Sequence, residues 1–301
     1  DKADISLKNL TATNTLADFT GLSKLRLLEQ ADTIDFSAAV SMTLLEFTGK
    51  KNSPITQGGQ TNDLTITGAN VSLETLVIDG VVRSATLTGT TLEAFSTLAG
   101  STIINVELVN NASLKTIDLK HDRLDGENAL AIIVTNNDKV ETLDMSSVNK
   151  VKTISLTGNG SLTTVTLPGY DPFVEPTANV SMTVSGNNLS GRFNSATEGT
   201  DTTPYLPASI ESDFLCDAID FLEYYIDAAT TGTVTFDIDL DKTDLYTQEQ
   251  NAAGELVQTD ASSSTLLSDL LTANAAVMTA GGQSGTGTID TAAEFALVDC
   301  D

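Results

Sequence analysis

The sequence predicts a β-rich solenoid of about 22-residue coils, two short strands to a coil, over residues 1–190, and a small acidic α+β domain over 191–301. Three observations predict it. An apolar-x-x-apolar-x-apolar template recurs about every 11 residues through the first part of the chain. Asparagine follows the template in alternate copies. The repeat then ends near residue 190, where the charge composition changes.

The early copies are loose and read Leu22-Leu25-Leu27, Met42-Leu45-Phe47, Leu73-Leu76-Ile78 and Val82-Ala85-Leu87. The template tightens at Ile103-Val106-Leu108 and Leu114-Ile117-Leu119. A polar excursion, Lys120 to Asn128, displaces the next copy to Ala129-Ile132-Val134. Val140-Leu143-Met145, Val151-Ile154-Leu156 and Leu162-Val165-Leu167 follow, with Met182 and Val184 as a last echo. The final two apolar positions of each copy lie two apart, so both point to the same side of a short strand.

Three residues past the last apolar position stand Asn111, Asn137, Asn159 and Asn187, whereas the copies between them carry Asp122, Val148 and Tyr170 there. The true coil is therefore the double unit of about 22 residues. A carboxamide both donates and accepts, so stacked asparagines can satisfy backbone groups of neighbouring coils from inside a bend.

Val106-Glu-Leu108-Val-Asn-Asn111 and Ile154-Ser-Leu156-Thr-Gly-Asn159 resemble the LxLxxN core of leucine-rich repeats. The short units resemble bacterial surface leucine-rich-repeat proteins, including the BspA-like group, across 22–189 and most clearly across 103–189. The resemblance implies a leucine-rich-repeat-like solenoid and a role in adhesion or protein interaction. Thr, Ser and Val often stand where that family has Leu, and the units vary in length.

Beyond residue 190 the periodicity is lost. The first 190 residues carry 21 acidic and 13 basic side chains, and the last 111 carry 20 and 2. Pro207 and Ser209 suit the start of a helix to about Ala228 with one broad apolar face. The alternation Val234-Thr-Phe236-Asp-Ile238-Asp-Leu240 reads as a strand. A second helix over 265–279 and a closing strand over 294–298 complete an α+β unit placed to cap the solenoid core.

A net charge of −26 repels phosphate backbones and argues against nucleic-acid partners. No stretch approaches the roughly 20 apolar residues of a membrane span. The chain opens Asp1-Lys2-Ala3, as a mature or trimmed product would, and shows no anchor or sorting signal. Acidity and abundant Thr and Ser suit an extracellular or cell-surface location. Cys216 and Cys300 fit no zinc or CxxC motif, and a bridge between them would pin the chain end.

The sole histidine, His121, sits in a polar stretch with no serine nucleophile nearby and reads as an exposed loop residue. With no tryptophan to stack on sugars, carboxylate pairs alone make a weak case for a glycosidase. The expectation is a protein that is not an enzyme. Asp237, Asp239, Asp241 and Asp244 offer hard oxygen ligands for calcium, without the glycine and closing glutamate of an EF-hand; Asp122, Asp125 and Glu127 are a weaker set. Outward Thr116, Thr142, Thr153 and Thr164, expected on alternating sides, make a poor ice-binding lattice. The function expected is a noncatalytic surface protein that meets copies of itself or other surface proteins, as a filament or surface-layer subunit or an adhesin. The alternative is a secreted or virion-borne module that recognises a glycan or host receptor.

Overall fold

The structure is a computed structural model. It describes residues 3–8, 22–30, 34–35, 43–49, 63–68, 72–121, 130–168 and 179–189, with 192–195, 207–211, 214, 216–218, 220–221, 233–238, 246–250, 256–260 and 286–289 beyond them. The chain divides into two compact units, Asp1–Thr177 and Ala178–Asp301.

The first unit begins with β1 (Ala3–Lys8), β2 (Leu22–Gln30), β3 (Ile34–Asp35), β4 (Leu44–Gly49), β5 (Asp63–Thr67), β6 (Thr75–Asp79) and β7 (Val81–Thr88). It continues with β8 (Ala94–Thr97), β9 (Thr102–Val109), β10 (Thr116–Asp118), β11 (Leu130–Thr135), β12 (Thr142–Asp144), β13 (Val151–Thr157) and β14 (Thr164–Thr166). From β2 onward successive strands alternate between two sheets. The first sheet runs β1-β2-β4-β6-β8-β10-β12-β14, and the second runs β3-β5-β7-β9-β11-β13. Every pairing among these strands is parallel, so the unit is a parallel β-solenoid with one strand per sheet in each coil.

Register follows the apolar template. In the second sheet Leu87 pairs with Leu108, Leu108 with Val134 and Val134 with Leu156. In the first sheet Phe95 pairs with Ile117, and Leu143 with Val165. Asn137 and Asn159, 22 residues apart, mark one full coil. The inward residues are sealed from solvent: Ile66, Leu87, Leu108, Val134 and Leu156 from one sheet, Phe95, Ile117, Leu143 and Val165 from the other. Full burial of such side chains contributes roughly 1.5–3 kcal/mol each, so the continuous column of apolar residues is the main stabilising term.

Two inner strands escape the three-position template. In β5 only Leu64 and Ile66 are apolar and buried. In β8 the third position is Thr97, fully buried. Its hydroxyl donates to the Lys120 carbonyl at 2.9 Å, and the Lys120 N–H donates to the Thr97 hydroxyl oxygen at 2.6 Å. A polar side chain is tolerated in this core because its hydrogen bonds are made.

The second unit contains β15 (Asn179–Ser185), β16 (Arg192–Ser195), β17 (Pro207–Glu211), β18 (Thr233–Ile238), β19 (Tyr246–Gln250), β20 (Leu256–Asp260) and β21 (Thr286–Ile289). Strands β15, β18 and β21 lie parallel in that order, and β17-β16-β19-β20 form a separate sheet. Residues 207–211, where the sequence suggests the start of a helix, pair antiparallel with Arg192–Ser195. Pro207 sits on the outer strand of that sheet, at a register shift, the kind of position where a strand admits proline. Residues 214, 216–218 and 220–221 are helical, with Phe214, Ala218 and Phe221 buried. The expected elements over 265–279 and 294–298 lie outside the described residues.

Candidate interaction surface

Three successive coils of the solenoid turn from the second sheet to the first through a bend built on asparagine. Asn111, Asn137 and Asn159 are fully buried. The Asn137 Oδ1 accepts the Asn111 N–H at 2.9 Å, and Asn159 Oδ1 accepts the Asn137 N–H at 3.0 Å. Their Nδ2 groups donate to the carbonyls of Leu108 at 2.8 Å and Val134 at 2.9 Å. Asn111 does the same one coil earlier, donating to the Leu87 carbonyl at 3.1 Å. Each carboxamide thus clasps one donor and one acceptor of the preceding coil. The turn is closed by bonds such as Leu114 N–H to Asn111 O at 3.0 Å and Leu162 N–H to Asn159 O at 2.9 Å.

Thr90 ends this ladder. It occupies the asparagine position of its coil, is buried, and gives both its N–H (3.0 Å) and its hydroxyl (2.7 Å) to Asn111 Oδ1. A threonine three residues past Leu87 was the available signal. Just before each of these residues, Gly89, Asn110, Asn136 and Gly158 have φ of 64°, 56°, 53° and 66°. This left-handed conformation is available to Gly and tolerated by Asn, which accounts for both residue types at that site. Asn187, in the second unit, is buried and follows Gly186 at φ 62°.

With the interior packed, chemistry is left to the outer faces. The second sheet presents Thr67, Thr88, Val109, Thr135 and Thr157 in one column, and Thr65, Thr86, Glu107, Ile133 and Ser155 in the next. Apart from Thr67, which is exposed, these side chains are half-buried by their neighbours. Hydroxyls and amides bond along the columns, as in Thr135 to Thr157 at 2.9 Å and Asn105 Nδ2 to Ser84 at 3.1 Å. Strands β5, β7, β9, β11 and β13 hold four charged residues, Asp63, Arg83, Glu107 and Lys152, two of each sign. Asp63 grips the Arg83 guanidinium through Nε and Nη2, a bond that raises the arginine pKa further and keeps it charged.

The opposite face is different in kind. Strands β6, β8, β10, β12 and β14 carry Asp79, Asp118 and Asp144 and no basic residue. Thr142 pairs with Thr164, and Asp118 pairs with Asp144. Thr116, Thr142 and Thr164 therefore share one exposed column; the expectation of alternating sides fails for them, and only Thr153 lies in the other sheet. The Asp144 carboxylate accepts from the Ser146 hydroxyl and from its N–H at 2.8 Å, and these bonds hold its pKa below the ordinary value.

His121 is not an exposed loop residue. It is fully buried and forms an isolated bridge with Val148. Its N–H donates to the Ser147 carbonyl at 3.1 Å, and its carbonyl accepts from Asn149 at 3.0 Å. Backbone pairing with the next coil draws it inside despite polar sequence neighbours. Asp237 lies in β18, in register with Thr183 and Thr288. Its expected co-ligands Asp239, Asp241 and Asp244 lie outside the described residues, as do Asp122, Asp125 and Glu127. Among the described residues no three His, Cys, Asp or Glu side chains converge as a metal site. Cys216 is half-buried on a helical turn, and Cys300 lies outside the described residues. No helix among the described residues is long and apolar enough to cross a membrane. Compared with protein-family models, curated proteins and solved structures, the chain matches none.

Proposed function

We propose that this chain is a noncatalytic extracellular surface protein that works through protein–protein contacts, as a self-assembling structural subunit or adhesin. The observation that carries the reading is periodicity. Parallel in-register strands stack outward side chains in fixed columns coil after coil, and a surface with a fixed repeat matches other surfaces with that repeat, its own first of all. The resemblance to bacterial surface leucine-rich-repeat proteins supports the same role. His121, the only imidazole, is buried within a backbone bridge, so it is out of reach of an exposed nucleophile. A Cys216–Cys300 bridge and calcium at Asp237, Asp239, Asp241 and Asp244 belong to this reading, as features of a protein outside the cell.

Sedimentation velocity and electron microscopy of the native chain, across protein concentration and salt and with and without a calcium chelator, test it. Ordered or concentration-dependent assemblies are expected. Strictly monomeric particles under every condition would overturn self-assembly and favour a secreted or virion-borne module for a glycan or receptor. Mass spectrometry of the unreduced chain should find it two mass units lighter than the fully reduced form.

A further inference from the structure

We propose that the outer face of β5, β7, β9, β11 and β13 is the surface on which two copies of this chain meet, column against column. The inference rests on the self-association reading and names the face and the partner. Two copies, each at −26, repel one another, so contact is least opposed where charge cancels locally. This face meets that requirement. Asp63 is already neutralised by Arg83, and Glu107 and Lys152 add one charge of each sign, whereas β6, β8, β10, β12 and β14 bring three carboxylates against one neighbouring base, Lys120, which meets Asp118 at 3.0 Å.

The side chains also suit burial. Val109 and Ile133 supply apolar area, and beside them the hydroxyls of Thr135 and Thr157 bond to each other along their column. A donor satisfied within its own column is not orphaned when water leaves, so covering the face carries a small desolvation cost. A second copy presents the same strand spacing of about 4.8 Å, which lets β-branched columns interdigitate as in packed sheets. Five strands of five to eight residues cover about 500 Å² per partner. That is below the roughly 800 Å² per partner of a standard stable interface. The contact is therefore weak and reversible, and it strengthens with salt as the overall repulsion is screened. It is isologous and closes as a dimer, so a filament needs a second contact elsewhere.

The test compares two double variants of equal net charge by sedimentation equilibrium at low and high salt. T86E/T135E places carboxylates on the proposed face, and T142E/T164E places them on the opposite one. Association at least tenfold weaker in the first, with less than twofold change in the second, is the expected result. Circular dichroism checks that both remain folded. Mixing T86E/T135E with T86K/T135K should restore association as a heterodimer, a gain that misfolding cannot mimic. If the wild type associates but the two double variants weaken it equally or not at all, the face is wrong while self-association stands. If the wild type stays monomeric at every concentration and salt, both inferences fall.

Discussion

The two bends of each coil meet the same demand, turning the chain without leaving buried backbone groups unpaired, by different means. The bend from the second sheet to the first is constant where asparagine stands in it: 110–115, 136–141 and 158–163 are six residues each, whereas 89–93, built on Thr90, is five. The bend in the opposite direction varies, from Gly80 alone to 98–101, 119–129 and 145–150. In the constant bend a buried carboxamide reaches a fixed distance into the preceding coil, and that reach sets the length. The variable bend relies on main-chain pairings wherever they fall, such as Thr102 N–H to Gly80 O at 2.8 Å and Leu130 N–H to Lys150 O at 3.0 Å. A side-chain ladder enforces length, and scattered backbone bonds permit insertions.

The sharpest way to break this contrast is to remove one rung. Asn137→Ala would strand the Asn111 N–H and the Leu108 carbonyl inside the core. Two buried unsatisfied groups cost about 2–5 kcal/mol together. Asn149→Ala, at an exposed position of the variable bend, should stay within about 0.5 kcal/mol. Urea unfolding of both variants gives the comparison, and equal midpoints would show that the rung carries no load.

A smaller effect is expected one residue upstream of the rung. Gly158 has φ 66°, and a Cβ there would overlap the Asn136 carboxamide oxygen. Asn136 holds Asn110 through Nδ2 at 3.1 Å, a bond the new methyl group would displace. Gly158→Ala should therefore cost about 2 kcal/mol, combining left-handed strain with the lost contact. Gly89→Ala, with φ 64° and its nearest neighbour the Gly68 Cα at 3.7 Å, isolates the strain alone at about 1 kcal/mol. Thermal unfolding that ranks Gly89→Ala as the more damaging change would contradict the assignment.

The constant bend is also why the coil length was legible in the sequence. Parallel pairing stacks apolar inward positions from coil to coil, and the carboxamides of Asn111, Asn137 and Asn159 recur at one place, so Leu87, Leu108, Val134 and Leu156 carry the register openly. What stayed hidden depends on three-dimensional partners. Thr97 masks β8 because its hydroxyl is satisfied by Lys120, a residue 23 positions away. His121 reads as exposed because its bridge to Val148 belongs to the next coil. The unequal charge of the two faces, and the shared column of Thr116, Thr142 and Thr164, emerge only once each strand is assigned to its sheet. An outward residue makes no demand on the core, so no periodic constraint betrays its neighbours.

The mildest perturbation sharpens the comparison from the permissive side. Leu98, Ala99 and Gly100 are exposed; the bend 98–101 is closed by Ser101 N–H to Leu98 O at 3.1 Å and tied to the preceding coil by Leu98 N–H to Ile78 O at 2.9 Å. Inserting Gly-Ser after Ala99 lengthens this bend while leaving the pairing of β7 with β9 and of β8 with β10 in place. Loop closure grows only slowly with length, by about 0.6 kcal/mol per doubling. Losing the Ser101–Leu98 turn bond adds about 1 kcal/mol. The insertion should therefore lower stability by about 1 kcal/mol, less than the loss of Asn137, even though it adds two residues rather than removing a few atoms. Chemical denaturation measures this directly. A loss as large as that of Asn137→Ala would mean the variable bend is as tightly specified as the asparagine bend, and the distinction between them would fail.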